Sequence, residues 1–326
     1  LNKEIRIVGT GSYLPEKVLT NFDLEKIVDT SDKWIHERTG IKERRIAAPD
    51  QATSDLGTEA ALRALKMAGV SPGELDLIVV ATITPDMFFP STACFIQKRI
   101  GAKNAAAFDV MAACSGFVYG LATVEGLVRG GRYKKVLFVA SETLSKITDW
   151  EDRGTCVLLA DGAGACVIVP DAQKHLLSYT LGANGEFGHL LYMPAGGSRL
   201  PASVETVKNR KHYLKMKGNE LFKIAVRILA EAGMAAIEEA GIKPEDISLF
   251  IPHQANWRIM KACARRIGIP EDKVFITIHK YGNTSASTIP IALDEAVREG
   301  RIKEGDLILL DAFGGGLTWG ACVIRW

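Results

Sequence analysis

Short apolar runs of strand length alternate with stretches of helical period along most of the chain. Leu77 to Ala81 and Val136 to Ala140 are uninterrupted apolar runs of strand size. Between them, apolar residues at 117, 118, 121, 124, 127 and 128 trace one stripe of a helix. No run approaches the roughly 20 residues that a membrane-spanning helix needs. This alternation predicts an α/β chain whose mixed or parallel sheets are covered by helices.

The pattern also repeats. ALKMAGVSPGELDLIVVATIT, from Ala64, aligns with AIEEAGIKPEDISLFIPHQAN, from Ala236. Each reads as a helix end, an A-G break, a Pro-containing turn and a strand. QKRIG (97–101) matches ARRIG (264–268), LVRGGR (127–132) matches AVREGR (296–301), and GACVI occurs at 164–168 and 320–324. Ordered matches at offsets of 156 to 172 predict two similar α/β halves, 1–172 and 173–326. The second half carries an insertion without strong apolar period, from about Pro194 to Lys217, read as a surface excursion. At an offset of 169, Cys114 corresponds to Asn283, each just before a helix. A pseudo-twofold arrangement then aims two helix N-termini at one shared site.

Composition narrows the classes. The 326 residues suit about two domains, and 47% hydrophobic with 24% charged residues is the balance of a soluble globular chain. A net charge of +2 gives no case for a nucleic-acid partner, so electrostatic docking must come from local clusters. The opening LNKEIRIVGTG carries charge where a secretory leader has an apolar core, so no leader is expected. Six cysteines, at 94, 114, 156, 166, 263 and 322, lack C-x-x-C spacing. They argue against a zinc site or a disulfide framework and for a reducing, cytoplasmic compartment.

Three residues stand where chemistry collects in such folds. Cys114 falls in a sharp turn between a buried strand end, Phe108 to Met111, and the helical stripe. Unpaired N–H groups and the positive dipole end there favour a thiolate and a developing oxyanion. A buried core cysteine is the competing reading. His253 follows the strand Ser248 to Ile251, which stops at Pro252, and ligands gather at the carboxyl ends of strands in α/β sheets. Asn283, in G-N-T-S, is either the N-cap of the next helix or, with Thr284 or Ser285 capping, an amide free for substrate. GGG at 314–316 permits close approach of main-chain N–H groups to a ligand, or is a plain turn. GTGS at 9–12 is not a dinucleotide loop, because Leu14 stands where the third glycine belongs and Pro15 follows. Residue types alone leave a Cys-His-Asn hydrolase and a condensing enzyme both open.

Longer motifs decide further. TSDKWIHERTGIKERR (30–45), FDVMAACSGF (108–117), DRGT (152–155), DGAGA (161–165), PHQAN (252–256), GNTSAS (282–287) and AFGGGLTWG (312–320) recur in order. Over nearly its whole length the chain resembles the 3-oxoacyl-acyl-carrier-protein synthase III family of the thiolase-like superfamily, the initiating condensing enzymes of bacterial fatty acid synthesis. One departure is Ser115, where several members carry Ala.

The resemblance implies a thiolase-like αβαβα layered fold of two similar halves with mixed five-stranded sheets, and a homodimer. It implies that Cys114 accepts an acyl group from acyl-CoA, and that His253 and Asn283 assist decarboxylation of malonyl-acyl-carrier protein. The N–H groups of Cys114 and Gly315 would form the oxyanion hole. Phe313, packed near His253, and Phe89, in the loop PDMFFPS (85–91), would shape the acyl pocket, partly across the dimer interface. Trp34 and Arg153 would sandwich adenine, with Thr30, Arg38, Gly218 and Asn256 near the nucleotide and pantetheine. No metal or redox cofactor is implied, the CoA thioester being a substrate, and neither nucleic acid nor membrane is an expected partner. Arg258, Lys261, Arg265 and Arg266 share one helix face, expected either to dock the acidic carrier protein or to be simply solvated. The alternatives are a related condensing enzyme of a polyketide or other acyl-chain pathway and, further off, a thioester hydrolase.

Overall fold

The computed structural model describes residues 4–326; Leu1 to Lys3, at the start of the expected first half, lie outside the described residues. The long apolar runs become the middle strands of two sheets. In the first, the order is Glu4–Tyr13, Asp161–Asp171, Val136–Thr143, Leu77–Ala81, Ala106–Val110. The last three run parallel to one another, and the first two pairings are antiparallel. In the second sheet the order is Leu176–Ala183, Thr318–Arg325, Leu307–Gly314, Leu249–Pro252, with the same sequence of antiparallel and parallel pairings. A fifth strand is not formed there. Its place is held by Val274, which makes an isolated parallel bridge to Phe250, and by the Phe275 N–H bonded to the Phe250 carbonyl at 2.8 Å. Pro270 and the short turn Glu271–Lys273 leave too little extended chain for more.

Period-two alternation sends each strand's side chains into different layers. Val79, Ala81, Phe138 and Ala140 face a central core shared by both sheets, whereas Ile78, Val80, Leu137 and Val139 face an outer core. Helices Thr53–Ala68 and Thr92–Ile100 cover that outer face, and Gly218–Glu239 with Trp257–Ile267 cover the outside of the second sheet. Helices Gly116–Arg129 and Thr288–Arg298 fill the layer between the sheets. The result is a five-layered αβαβα stack.

The two central helices revise the expected correspondence. Their lead-in turns, Ala113–Ser115 and Ser285–Ser287, and their first residues, Gly116 and Thr288, are each 172 apart. Their last residues, Arg129 and Arg298, are 169 apart, because the second helix has 11 residues against 14. Cys114 is therefore matched by Ala286, and Asn283 lies three residues ahead of that point.

Glycine decides one contact in this layer. A Cβ on Gly120 would lie 2.1 Å from the Phe138 ring, which stacks on Phe117 at 5.1 Å. Gly126, on the same helix, faces open space. Gly120→Ala is expected to cost about 1–3 kcal/mol by overpacking, while Gly126→Ala should stabilise by about 0.5–1 kcal/mol. Urea unfolding of the two variants measures the difference, and equal effects would contradict this packing.

Candidate active site

The turn before the first central helix is strained. Ala113 has φ +46°, a region that non-glycine residues avoid. It is held there by Ser115, whose hydroxyl donates to the Ala112 carbonyl at 2.6 Å and lies 2.7 Å from the Thr318 hydroxyl. Thr318 in turn donates to the Ala112 and Gly315 carbonyls. The chain of Gly314 passes so close that a Cβ there would sit 2.5 Å from the Cys114 nitrogen. Only glycine fits. Cys114 and Gly315 are thus locked together, and neither N–H has a protein acceptor among the described residues. An oxyanion needs N–H donors that the protein leaves free.

The mirrored turn positions the other two groups. Ser285 has φ +54°. Its N–H donates to Asn283 Oδ1 at 2.8 Å, and Asn283 is pinned by main-chain bonds to Leu158 and Ala160 at 2.9 Å each. The Asn283 oxygen therefore serves the turn, although Thr284 holds the N-cap position without a side-chain cap, and no partner of the Asn283 NH2 group is found among the described residues. His253 follows the strand Leu249–Pro252, with its N–H on the Asp311 carbonyl at 2.8 Å. Its Nδ1 lies 2.7 Å from the hydroxyl of Thr288, which also reaches the Ser285 carbonyl at 3.0 Å. Nε2 has no protein partner among the described residues. Cys114, His253, Asn283, Phe313 and Gly315 all line one cavity of about 1350 Å³.

A family model described as 3-oxoacyl-[acyl-carrier-protein (ACP)] synthase III matches residues 108–185, and its C-terminal companion matches residues 237–326. A beta-ketoacyl-[acyl-carrier-protein] synthase III of Caldanaerobacter subterraneus subsp. tengcongensis is 59% identical over 98% of this chain and 97% of its own. The crystal structure of the 3-oxoacyl-[acyl-carrier-protein] synthase III from Aquifex aeolicus VF5 superposes with a TM-score of 0.92 at 52% identity, covering 99% of this chain and 100% of that one. The chain belongs to the 3-oxoacyl-acyl-carrier-protein synthase III family. It is an acyltransferase-type condensing enzyme of fatty acid synthesis with the thiolase-like fold. The priming beta-ketosynthase of the R1128 polyketide pathway is also similar, at 35% identity and a TM-score of 0.93 over 99% of this chain and 96% of that one.

For a condensing enzyme of this family the electrostatics of the site matter as much as its geometry. Burial pushes the Cys114 thiol up to about 12; the Ser285 hydroxyl pulls the other way, and the carboxyl of Glu142 adds to the rise. Burial therefore opposes the thiolate that a helix N-terminus favours. Burial also holds His253 down at about 3, so its ring is neutral at physiological pH. Glu142, buried without a cation and bonded by Thr82, Thr84 and the Ile83 N–H, is raised to about 7.

The residues implied for the nucleotide gather unevenly. Trp34, Arg38, Gly218 and Asn256 line the mouth of the cavity. Arg153 does not line it but sits 4.8 Å over the Trp34 ring, with Arg38 at 4.9 Å. The Thr30 hydroxyl is buried without a partner. The Asn256 amide is occupied, capping Trp257–Ile267 and donating to the Arg38 carbonyl. Phe88 and Phe89 are both 83% exposed; Met87 and Phe88 border the cavity, and Phe89 lies outside its own chain's cavity. The stretch Pro194 to Lys217 is more than a surface excursion, since Ala195, Leu214 and Met216 wall the cavity. On the basic face, Lys261 and Arg265 are paired with Glu271, while Arg258 stands exposed over the Phe222 ring and Arg266 has no ion pair among the described residues. Sequence reasoning missed Thr288, five residues beyond Asn283. A hydroxyl in the first turn of the helix that faces the histidine was the available signal.

A thiol of raised pKa predicts a pH profile. Alkylation of Cys114 by iodoacetamide, followed by peptide mass, should accelerate about tenfold per unit from about pH 7 to about pH 10 in the free enzyme. A plateau starting near neutrality would show that the thiolate is already formed.

Proposed function

We propose that the chain condenses an acyl-CoA primer with malonyl-acyl-carrier protein, releasing CO2 and giving a 3-oxoacyl-carrier protein that starts a fatty acid chain. The observation that carries this reading is one enclosed cavity lined by a thiol, a neutral imidazole and a free amide NH2, with two unpaired N–H groups beside the thiol. In the first half-reaction the Cys114 sulfur attacks the acyl carbonyl. Its proton goes to His253 Nε2 and then to the CoA sulfur as that C–S bond breaks. In the second, His253 Nε2–H and the Asn283 NH2 donate to the malonyl thioester oxygen. The bond to the carboxylate breaks, CO2 leaves, and its electron pair becomes an enolate stabilised where charge develops. The enolate carbon attacks the acyl-Cys114 carbonyl, whose oxyanion meets the Cys114 and Gly315 N–H groups. Cys114 leaves as thiolate and takes a proton from solvent.

The Thr288 hydroxyl suits both halves. Turned to the Ser285 carbonyl, it accepts from Nδ1–H and leaves Nε2 a base. Turned to Nδ1, it leaves Nε2–H a donor.

The remaining assignments are proposals of the same kind. Thr30, Trp34, Arg38, Arg153, Gly218 and Asn256 take the nucleotide and pantetheine, supported by the cationic groups stacked on Trp34 and the unpartnered Thr30 hydroxyl. Phe313 with Met87 and Phe88 shapes the acyl pocket, and the exposed Phe89 supports a homodimer in which that loop meets a second copy. The halves divide at 172/173, supported by the shared strand order. Six free cysteines support a cytoplasmic location. The basic face around Arg258 receives the carrier protein.

Two experiments test this reading. Incubation with acyl-CoA should add one acyl mass at Cys114, and the product with malonyl-carrier protein should be a C–C bonded 3-oxoacyl chain; a free acid would mark a hydrolase. Because the resting thiol must lose a proton, His253→Ala should slow both half-reactions. Asn283→Ala should still form acyl-Cys114 but lose about 10²–10³ in release of labelled CO2; parent-like release would refute the role of its amide. Separately, Arg258→Glu should raise KM for malonyl-carrier protein about tenfold and leave that for the primer nearly unchanged. Equal effects on the two substrates would exclude carrier docking at this face.

A further inference from the structure

Arg44 is the largest of the fully buried side chains, with 0% of its surface exposed. A buried guanidinium is ordinarily matched by a carboxylate, yet Arg44 makes no ion pair among the described residues. Its terminal N–H groups go instead to three neutral oxygens on two stretches of chain, 19–21 and 157, while Nε has no partner among the described residues. Nη1 donates to Asn21 Oδ1 at 2.9 Å and to the Leu19 carbonyl at 3.2 Å, and Nη2 donates to the Val157 carbonyl at 2.8 Å. Burial lowers the guanidinium only to about 10, so it stays charged at neutral pH.

Two of these bonds lead to the jaws of the nucleotide mouth, one to each, while that to Leu19 stays within the strand pair. Asn21, itself fully buried, donates through Nδ2 to Asp32 Oδ1 at 2.9 Å and to the Ile41 carbonyl at 2.8 Å. Asp32 is the first residue of the helix Asp32–Thr39, which carries Trp34 and Arg38, and Ile41 follows its glycine cap. One amide thus holds both ends of that helix. Val157 closes the short helix Arg153–Cys156, which carries Arg153. One guanidinium therefore ties the Trp34 element to the Arg153 element from behind.

We infer that Arg44 is a positioning residue that sets the spacing of the Trp34 and Arg153 jaws, and so the affinity for the nucleotide end of the acyl-CoA, without touching the substrate. The inference rests on the coenzyme A site proposed above. A rigid planar fork can serve three acceptors at fixed angles, whereas a lysine ammonium is a single point. Both Lys and Met at this position keep the aliphatic stem that packs on Gly282, where an added Cβ would lie 3.1 Å from that of Arg44, beside Asn283.

The test compares acyl transfer to Cys114 from a short acyl-CoA and from the matching acyl-pantetheine, which has the same thioester without the nucleotide. Arg44→Met and Arg44→Lys should each raise KM for the acyl-CoA about tenfold, with kcat little changed and kcat/KM for acyl-pantetheine within about twofold of the parent. Failure of lysine to rescue separates fork geometry from charge alone. Asp32→Ala, at the half-buried end of the chain of bonds, provides a variant that folds even where the buried substitutions do not, and should show the same selective rise at about threefold. Equal losses on both thioesters, or no loss on either, overturn the role of Arg44. Trp34→Ala is the control for the site itself. If it leaves KM for the acyl-CoA unchanged, the nucleotide site is misplaced; if it raises KM while the Arg44 and Asp32 variants do not, the site stands and this inference fails.

Discussion

Enclosure between two sheets is the constraint on which this molecule turns. The central helices Gly116–Arg129 and Thr288–Arg298 are exposed mainly towards their C-terminal halves, at Thr123, Gly126, Arg129 and Arg298, and begin inside the protein, so every polar group at their N-termini must be satisfied by the protein or left for substrate. Desolvation then acts on each titratable group according to its charge type. It lifts the thiol of Cys114 and the carboxyl of Glu142, and it lowers the imidazole of His253. His253 therefore rests neutral and the Cys114 thiol protonated, while Glu142, near 7, is partly ionised at neutral pH. N–H donors already in place in such a site would stabilise an enolate or a tetrahedral oxyanion as its charge develops.

The same constraint explains why strain is tolerated. Ala113 and Ser285 occupy mirrored turns with positive φ, and each turn aims a donor or nucleophile where a relaxed turn would not. Hydroxyls of Ser115, Thr318 and Thr288 hold these turns from behind, bonded at 2.6 to 3.2 Å.

Much of the fold was legible because its signals are local. Apolar runs, helical stripes and the ordered repeats each occupy a few consecutive residues and predict two similar α/β halves, while the αβαβα stack came from the family resemblance. Cys114 and His253 were legible for the same reason, as a strand-to-helix turn and a strand end. What the sequence concealed depends on distant parts of the chain. The direction of the Cys114 shift is set by burial contributed from both halves, and the Thr288 hydroxyl meets His253 across 35 positions. The exact partner of Cys114 was misjudged by one helical turn, since the two central helices differ in length while their ends keep similar sequences. Arg44 was invisible, lying in ERRI among charges that read as solvent-facing.

The strand order has a consequence for synthesis of the chain. The edge strand Glu4–Tyr13 is made first, but its sole neighbour in the sheet is Asp161–Asp171. The emerging strand must therefore wait, unpaired, until Asp161–Asp171 has also left the ribosome. Even then the inner face of the finished sheet, with Phe117, Val118 and Leu121 of its helix, remains bare until the second sheet closes over it. Long-range pairing of this kind is slow and leaves apolar surface exposed to other nascent chains. The architecture that keeps water from the nucleophile thus makes the half-built protein a natural client for chaperones.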